Sequence, residues 1–393
     1  PKLETQIDVK SSSLHLFQPR ASTELTAEEL LKEKRIPFPL FRRLSQRKES
    51  SWIISLFVIL HLIAFAATMA VNDCWTNSHA RCFFARLGRF SFQPLSENPF
   101  LGPSASALDD VGALRLRYLE KHDHNPQIWR LFASPFLHAG VFHLLLSLSF
   151  VILIGIHLEQ EFGPLKIGAI YVVSALTGNL LAVQFLHDRP SVSSSGALFG
   201  LLGAMLSGLA QNYKVYTRKL ATLIAFVVIV IINAAVGLMP LVDNFSSIGG
   251  FLSGVLVGFA LRLKPRIEKL HRNKAGIFEY DDEDRNGNRS RMLICRMDFG
   301  RCVSLVVFAL LAAGGIVATF HGIDLNEYCG WCQYLDCVPS KWWSCSHETM
   351  ACETMISSYQ LTLTCSGNGR FEVFPSSDYS KGRIEDLCNL LCS

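Results

Sequence analysis

The chain has 393 residues, half of them apolar and only 18% charged, with a formal net charge of +4 and a positive mean hydropathy of +0.27. Such a composition excludes an ordinary soluble domain. The small positive excess calls for no nucleic acid, because it sits where flanking charges of membrane spans sit. In chain order, residues 1–51 are polar and mixed in charge, with no apolar signal-peptide core, and read as a cytosolic disordered arm; Leu40–Leu44 is a short candidate for the membrane surface. Acidic Glu4, Asp8, Glu24, Glu28 and Glu29 argue against an organellar transit peptide.

Seven apolar stretches approach the length of about 20 residues that a helix needs to cross a bilayer. They are Trp52–Val71, Ala139–Leu158, Leu165–Leu186, Ser194–Ala210, Leu220–Met239, Asn244–Leu261 and Cys302–Phe320. Several contain Gly, Ser and Asn, which predicts spans packed on one another. The fold class expected is an all-α membrane protein: a six-helix core over 52–263, a seventh helix over 302–320 and a tail over 321–393. Residues 72–134 form a long loop punctuated by Pro and Gly, expected to pack on the bundle or dip into the headgroups. Residues 264–301 form a polar linker with the acidic run Glu279–Asp284, read as a solvated spacer or, alternatively, a trafficking signal.

Basic residues fix an orientation. Arg42, Arg43, Arg47 and Lys48, then Lys214, Arg218 and Lys219, then the linker to Arg301 fall on one side if the N-terminus is cytosolic. The first span then acts as an uncleaved anchor, and the tail is luminal or extracellular. Cysteine usage agrees: of twelve cysteines, eight lie in the tail and Cys74 and Cys82 lie in the loop after the first span, and an oxidising compartment is where paired cysteines persist. The tail reads as a disulfide-stapled unit with on the order of a hundred possible pairings. The alternative for Cys329-x-x-Cys332 is half a zinc site.

Small residues mark two spans. Gly250, Gly254 and Gly258 recur at every fourth position on the sixth span, and Gly196, Gly200 and Gly203 cluster on the fourth. Small residues let helix backbones approach closely, which would bring Ser195 and Ser247, each near the start of its helix, to similar depth within hydrogen-bond reach.

Five motifs in order carry a family resemblance. Trp129-Arg130 precedes Leu137-His138-Ala139-Gly140, with His143 following. Gly155-x-x-x-Glu159-x-x-x-Gly163 closes the second span. Ser195-Gly196-Ala197-x-x-Gly200 opens the fourth, and Asn244-x-x-x-x-Gly249-Gly250-x-x-x-Gly254-x-x-x-Gly258 opens the sixth. Together they resemble the rhomboid intramembrane serine proteases, and the extra span and tail resemble plant members of the secretory pathway.

The resemblance implies Ser195 as nucleophile, His143 and the residue at 147 in the oxyanion site, and a histidine at 247 as general base. Three positions depart. Ser193 stands where the family has glycine, Ser147 where it has asparagine, and Ser247 where it has histidine. A hydroxyl cannot take a proton near neutral pH, so Ser195 stays protonated. Losing such a base typically costs about 10⁴–10⁶-fold in rate, and losing an oxyanion donor roughly 10²–10³-fold. His143 is the nearest substitute base; His138 reads as a residue that packs or hydrogen-bonds, His187 as a loop residue beside Asp188, and His61 as an interhelical hydrogen-bonder. Ser193, Ser194, Ser195, Ser246 and Ser247 equally suit polar contacts between helices. The expected function is an inactive rhomboid that binds transmembrane client proteins, in the Golgi, ER or plasma membrane, and affects their trafficking or turnover. The alternative is an active or residual protease using Ser195 with a non-standard base. Lipid is an expected partner; no metal, cofactor or nucleic acid is expected.

Asn288-Arg289-Ser290 is a formal glycosylation acceptor in the segment assigned to the cytosol. It is expected to stay unmodified in a glycosidase mobility-shift experiment; glycan at Asn288 would reverse the orientation.

Overall fold

A computed structural model describes residues 36–38, 40, 51–72, 74, 82–95, 98–116, 119, 126–186, 190–265, 299–338, 352–357, 360–365, 369–375 and 381–392. His187, the run Glu279–Asp284 and Asn288 lie outside them. Each apolar stretch is a helix: α1 Trp52–Asn72, α2 Val141–Phe162, α3 Pro164–Phe185, α4 Ser195–Gln211, α5 Lys219–Val236, α6 Asn244–Ala260 and α7 Phe299–Phe320. Five are long and apolar enough to cross a membrane. The other two, α4 and α6, have 17 residues each, only about 25 Å of helix. They can be short because neighbouring helices surround them: nearly every residue of α4 from Ser195 to Leu209 is buried.

Glycine sets how close these helices come. A Cβ added at Gly250 would lie 2.8 Å from the Gly196 Cα, and one added at Gly254 would lie 2.7 Å from the Gly200 Cα. From α3, a Cβ at Gly178 would lie 2.6 Å from the Ser246 carbonyl oxygen. Backbone therefore meets backbone across α3, α4 and α6. Where no water drives helices together, such packing supplies the attraction.

The turn motif at the end of α2 holds α1. The carboxylate of Glu159, fully buried, accepts from the amides of Ile53 at 3.0 Å and Ile54 at 2.9 Å, capping two first-turn donors that α1 leaves unsatisfied. Gly155 leaves room for the Ile54 side chain, and Gly163, at φ +100°, ends the helix. On the same end of the bundle, β1 (Ile36–Pro37) pairs in parallel with β2 (Tyr216–Thr217). Phe38 is fully buried and meets Tyr216 edge-on at 5.0 Å, and Leu40 packs on the same core. This stretch departs from the disorder expected through residue 51, because two aromatic rings find a place under the loop between α4 and α5.

The long loop after α1 packs on the end of the bundle where α4 and α6 begin, here called the serine end. Arg130 is its hub: its guanidinium donates to the carbonyls of Asp109 and Ala113 at 2.8 and 2.7 Å, to the Asp109 carboxylate at 3.0 Å and to Gln127 at 2.7 Å. Asn98 donates to the carbonyls of Pro103 and Ala139, tying the loop to the start of α2. Phe100, Leu108 and Leu137 fill a shared core, while Phe84, Leu87 and Phe90 remain exposed.

The tail adds a β-element to the helical core. An antiparallel sheet of β3 (Cys352–Ser357), β4 (Gln360–Cys365) and β5 (Phe371–Pro375) is covered by α8 (Lys381–Cys392), with Leu361, Leu363, Phe374 and Leu387 between them. Cys352–Cys388 and Cys365–Cys392 bind α8 to the sheet, and Cys74–Cys82 staples the loop after α1. Cys329 and Cys332 are bonded to each other, so the zinc alternative fails there: neither sulfur is a free thiolate. Arg383 of α8 donates to Gln93 at 3.3 Å, joining tail and loop.

Replacing Gly254 by alanine is expected to lower the stability of the detergent-solubilised protein by about 2 kcal/mol, the usual cost of overfilling a packed site. Gly314 of α7, where an added Cβ meets nothing within 4 Å, is the matched control and should tolerate alanine. Equal thermal midpoints for the two variants would contradict the backbone contact.

Candidate functional site

Ser195 is the first residue of α4 and only 6% exposed. Its Oγ lies 3.0 Å from the Ser246 Oγ and donates to the main-chain carbonyl of Asp243 at 3.3 Å. Ser246 can donate to the same carbonyl, also at 3.3 Å. Asp243 itself caps α6: its two carboxylate oxygens accept from the amides of Phe245 and Ser246, each at 2.8 Å. The helix start is thus pinned by a buried acid, and the pinning places a carbonyl beside the serine pair.

Ser246, not Ser247, faces Ser195. Ser247 is buried, but among the described residues no hydrogen bond joins it to Ser195. The reason is helical phase. Successive residues on a helix point about 100° apart, and the face of α6 that meets α4 is set by Gly250 and Gly254. Counting back four residues from Gly250 along that stripe reaches Ser246. The glycine spacing selects the facing serine only once the structure shows which stripe of α6 meets α4.

The extra hydroxyl at Ser193 is absorbed by the fold. It donates to Ser134 at 3.0 Å, and Ser134 also accepts from Asn179 of α3 at 2.8 Å. Asn179 further donates to the Leu131 carbonyl at 2.7 Å. This chain of buried polar groups ties the approach to α4 to the loop ahead of α2. Ser194 is buried too, and its hydroxyl finds no partner among the described residues.

The histidines gather elsewhere. His143, in the first turn of α2, accepts from the Ala139 amide through Nδ1 at 3.3 Å. Its ring lies 5.2 Å from His138 and 5.8 Å from Phe100. His138 stacks at 5.0 Å on His61, whose Nε2 meets the Tyr171 hydroxyl at 2.6 Å. His138 is enclosed in the turn before α2. Burial, with His143 and His61 beside it, holds its imidazole well below the usual histidine range, so it is neutral. Because its Nδ1 lies 2.8 Å from the Leu137 carbonyl, which only accepts, the proton resides on Nδ1. Ser147 is buried one turn beyond His143. Among the described residues, neither His143 nor Ser147 hydrogen-bonds to Ser195, so the structure does not join the expected oxyanion pair to the serine directly. Asp243, Ser246, Ser134 and Asn179, all of which touch this network, were not among the residues expected from sequence to form it, apart from the general reading of Ser246 as an interhelical contact.

Substituting Ser246 by alanine removes the side-chain partner of Ser195 while leaving the Asp243 carbonyl in place. A loss of about 1 kcal/mol is expected, the usual net worth of one hydrogen bond, and a smaller loss for Ser247→Ala. Chemical or thermal unfolding of the two variants checks this; a larger effect at Ser247 would reject the assignment of the facing residue.

Comparison with known proteins places this geometry in context. The Rhomboid domain family model matches residues 125–264, a range that contains Ser195, Ser246, Asp243, His138 and His143. "Inactive RHOMBOID-like protein 8" of Arabidopsis thaliana is 46% identical over 317 residues, covering 80% of this chain and 88% of that protein. "RHOMBOID-like protein 1" of the same plant is 41% identical over 344 residues, covering 87% of this chain and 85% of the relative. "RHOMBOID-like protein 4", also from Arabidopsis thaliana, is 37% identical over 392 residues, covering 99% and 92%. With these likenesses spanning the whole helical core, the glycine-packed serine helices and the glutamate-capped turn are those of a multi-pass membrane protein that belongs to the rhomboid family.

Proposed function

We propose that this rhomboid is a pseudoprotease: a membrane protein that keeps the family's bundle, does not hydrolyse peptide bonds, and binds transmembrane segments of client proteins to influence their trafficking or turnover. The observation that carries the reading is the set of groups around Ser195. Its hydroxyl meets another hydroxyl and a main-chain carbonyl. Neither can remove a proton near neutral pH, and a serine nucleophile needs a partner that can. The relative named as inactive supports the same reading. Ser247 stands at the position the family resemblance gives to the base, and its hydroxyl makes no hydrogen bond to Ser195 among the described residues.

Client binding is supported by the lipid-facing surface of α5. Leu223, Ile224, Val227, Val228, Ile231 and Ile232 are all exposed there, so a second apolar helix can pack along it. We also assign the serine end to the lumen or exterior. The disulfides Cys74–Cys82, Cys329–Cys332, Cys352–Cys388 and Cys365–Cys392 belong to the loop and tail on that side, and such bonds persist in oxidising compartments.

The deciding experiment is cleavage of a single-pass substrate in proteoliposomes by wild type, Ser195→Ala and the Ser247→His, Ser193→Gly double variant. Wild type is expected to equal the alanine variant, and a fluorophosphonate probe is expected to leave Ser195 unlabelled. Serine-dependent cleavage by the wild type would establish the protease reading instead. The double variant need not gain activity, since Ser147 remains and Ser193→Gly also breaks the bond to Ser134. For binding, a photo-crosslinker at Ile231 of α5 should capture a single-pass helix, while one at the fully buried Leu201 of α4 should not.

A further inference from the structure

We propose that residues 326–338 form a strap that fixes the serine-side end of α5 and keeps the buried Ser195–Ser246 pair covered. The strap follows α7 and is bonded to three separate parts of the bundle. Asn326 donates from its side chain to the Phe185 carbonyl at the end of α3, at 2.8 Å. The Leu335 carbonyl accepts from the Asn244 side chain at the start of α6, at 2.8 Å. The Val338 amide donates to the Leu238 carbonyl, just past the end of α5, at 3.0 Å. Between these ties, Cys332 is buried against Phe245 and Leu186 in one apolar cluster.

The third tie is the one that reaches the site. Leu238 is the second residue of the loop from 237 to 243 that joins α5 to α6. That loop lies over the entrance to α4: the Val192 amide donates to the Leu241 carbonyl at 2.9 Å, and Leu241 and Val242 share a core with Val192. The Asn244 side chain meanwhile donates to the Ala234 carbonyl of α5 at 3.2 Å as well as to the strap. The same few bonds therefore join strap, α5, the loop and the serine helix. Along most of its length α5 turns large apolar residues outward, so little else restrains it from swinging away.

The disulfide Cys329–Cys332 fits this role. A ring of sequence separation 3 removes less unfolded-chain entropy than any longer loop. Its effect is local: it fixes the turn that seats Cys332 in the apolar cluster. This inference concerns access to the serine pair and holds whether or not the bundle binds clients.

The test uses the full chain carrying Ser195→Cys, with Cys295→Ser and Cys302→Ser to remove competing thiols. The probe is a polar methanethiosulfonate reagent, applied to the purified protein in liposomes. Combining Val338→Pro, which deletes the donor N–H, with Asn326→Ala should raise the labelling rate about tenfold, as expected when a local opening is made easier. Amide exchange across 238–243 should rise in the same variant. A folded variant that labels at the parental rate overturns the proposal, as does faster labelling with no change in exchange of the loop. Should the combined variant lose its monodisperse size-exclusion peak, Asn326→Ala alone must still label measurably faster; an unchanged rate there overturns the proposal too.

Discussion

The bare contact between the backbones of α4 and α6 governs most of what this molecule can do. At Gly250 and Gly254 of α6 an added Cβ would run into the backbone of Gly196 and Gly200 of α4, so no side chain separates the two helices there. Two helices held that close share a common depth, so the residues that open them are forced to meet. The contact also fixes rotation about each helix axis, because only the glycine stripe of α6 lets its backbone come this close to α4. Ser195 and Ser246 are neighbours for that reason, and the capping of α6 by Asp243 sets where along the stripe the helix begins.

Burial of polar groups explains the rest of the site. In a low-dielectric interior an unpartnered hydroxyl or amide is costly, and this chain carries many of them near one depth. Ser193, Ser134 and Asn179 satisfy one another across three segments. Ser195 and Ser246 share the Asp243 carbonyl. These are the contacts of groups that hold helices in register, and on the proposed reading they are what remains of the region once its base is gone. The histidines solve the same problem separately: His61 pairs with Tyr171, and His138 stacks between His61 and His143.

The serine end is also where the chain spends its covalent links. The loop after α1 is stapled by Cys74–Cys82 and organised by Arg130, whose charge is met by Asp109 and surrounding carbonyls. The tail sheet reaches that loop through Arg383, and the segment after α7 reaches α3, α6 and the end of α5. The opposite end depends on a different device, the Glu159 cap on α1. One end is held by many distributed bonds, and the other by the buried Glu159 carboxylate together with the β1–β2 pairing and the Phe38–Tyr216 contact.

By itself the sequence determined the number and order of the helices, the glycine stripes and the side of the chain rich in cysteine. Each of these is a local property, readable from a run of apolar residues or a fixed spacing. Only the tertiary structure decided that Ser246 rather than Ser247 meets Ser195, that Cys352 pairs with Cys388 and Cys365 with Cys392, that Phe38 leaves the arm to pack on Tyr216, and that Asn244 reaches the segment after α7. Those outcomes join residues far apart in the chain. Helical phase relative to a neighbour, and the choice among many possible cysteine pairs, are set by which surfaces fit together, and a spacing within one segment carries no information about its partner's rotation until the contact between them is known.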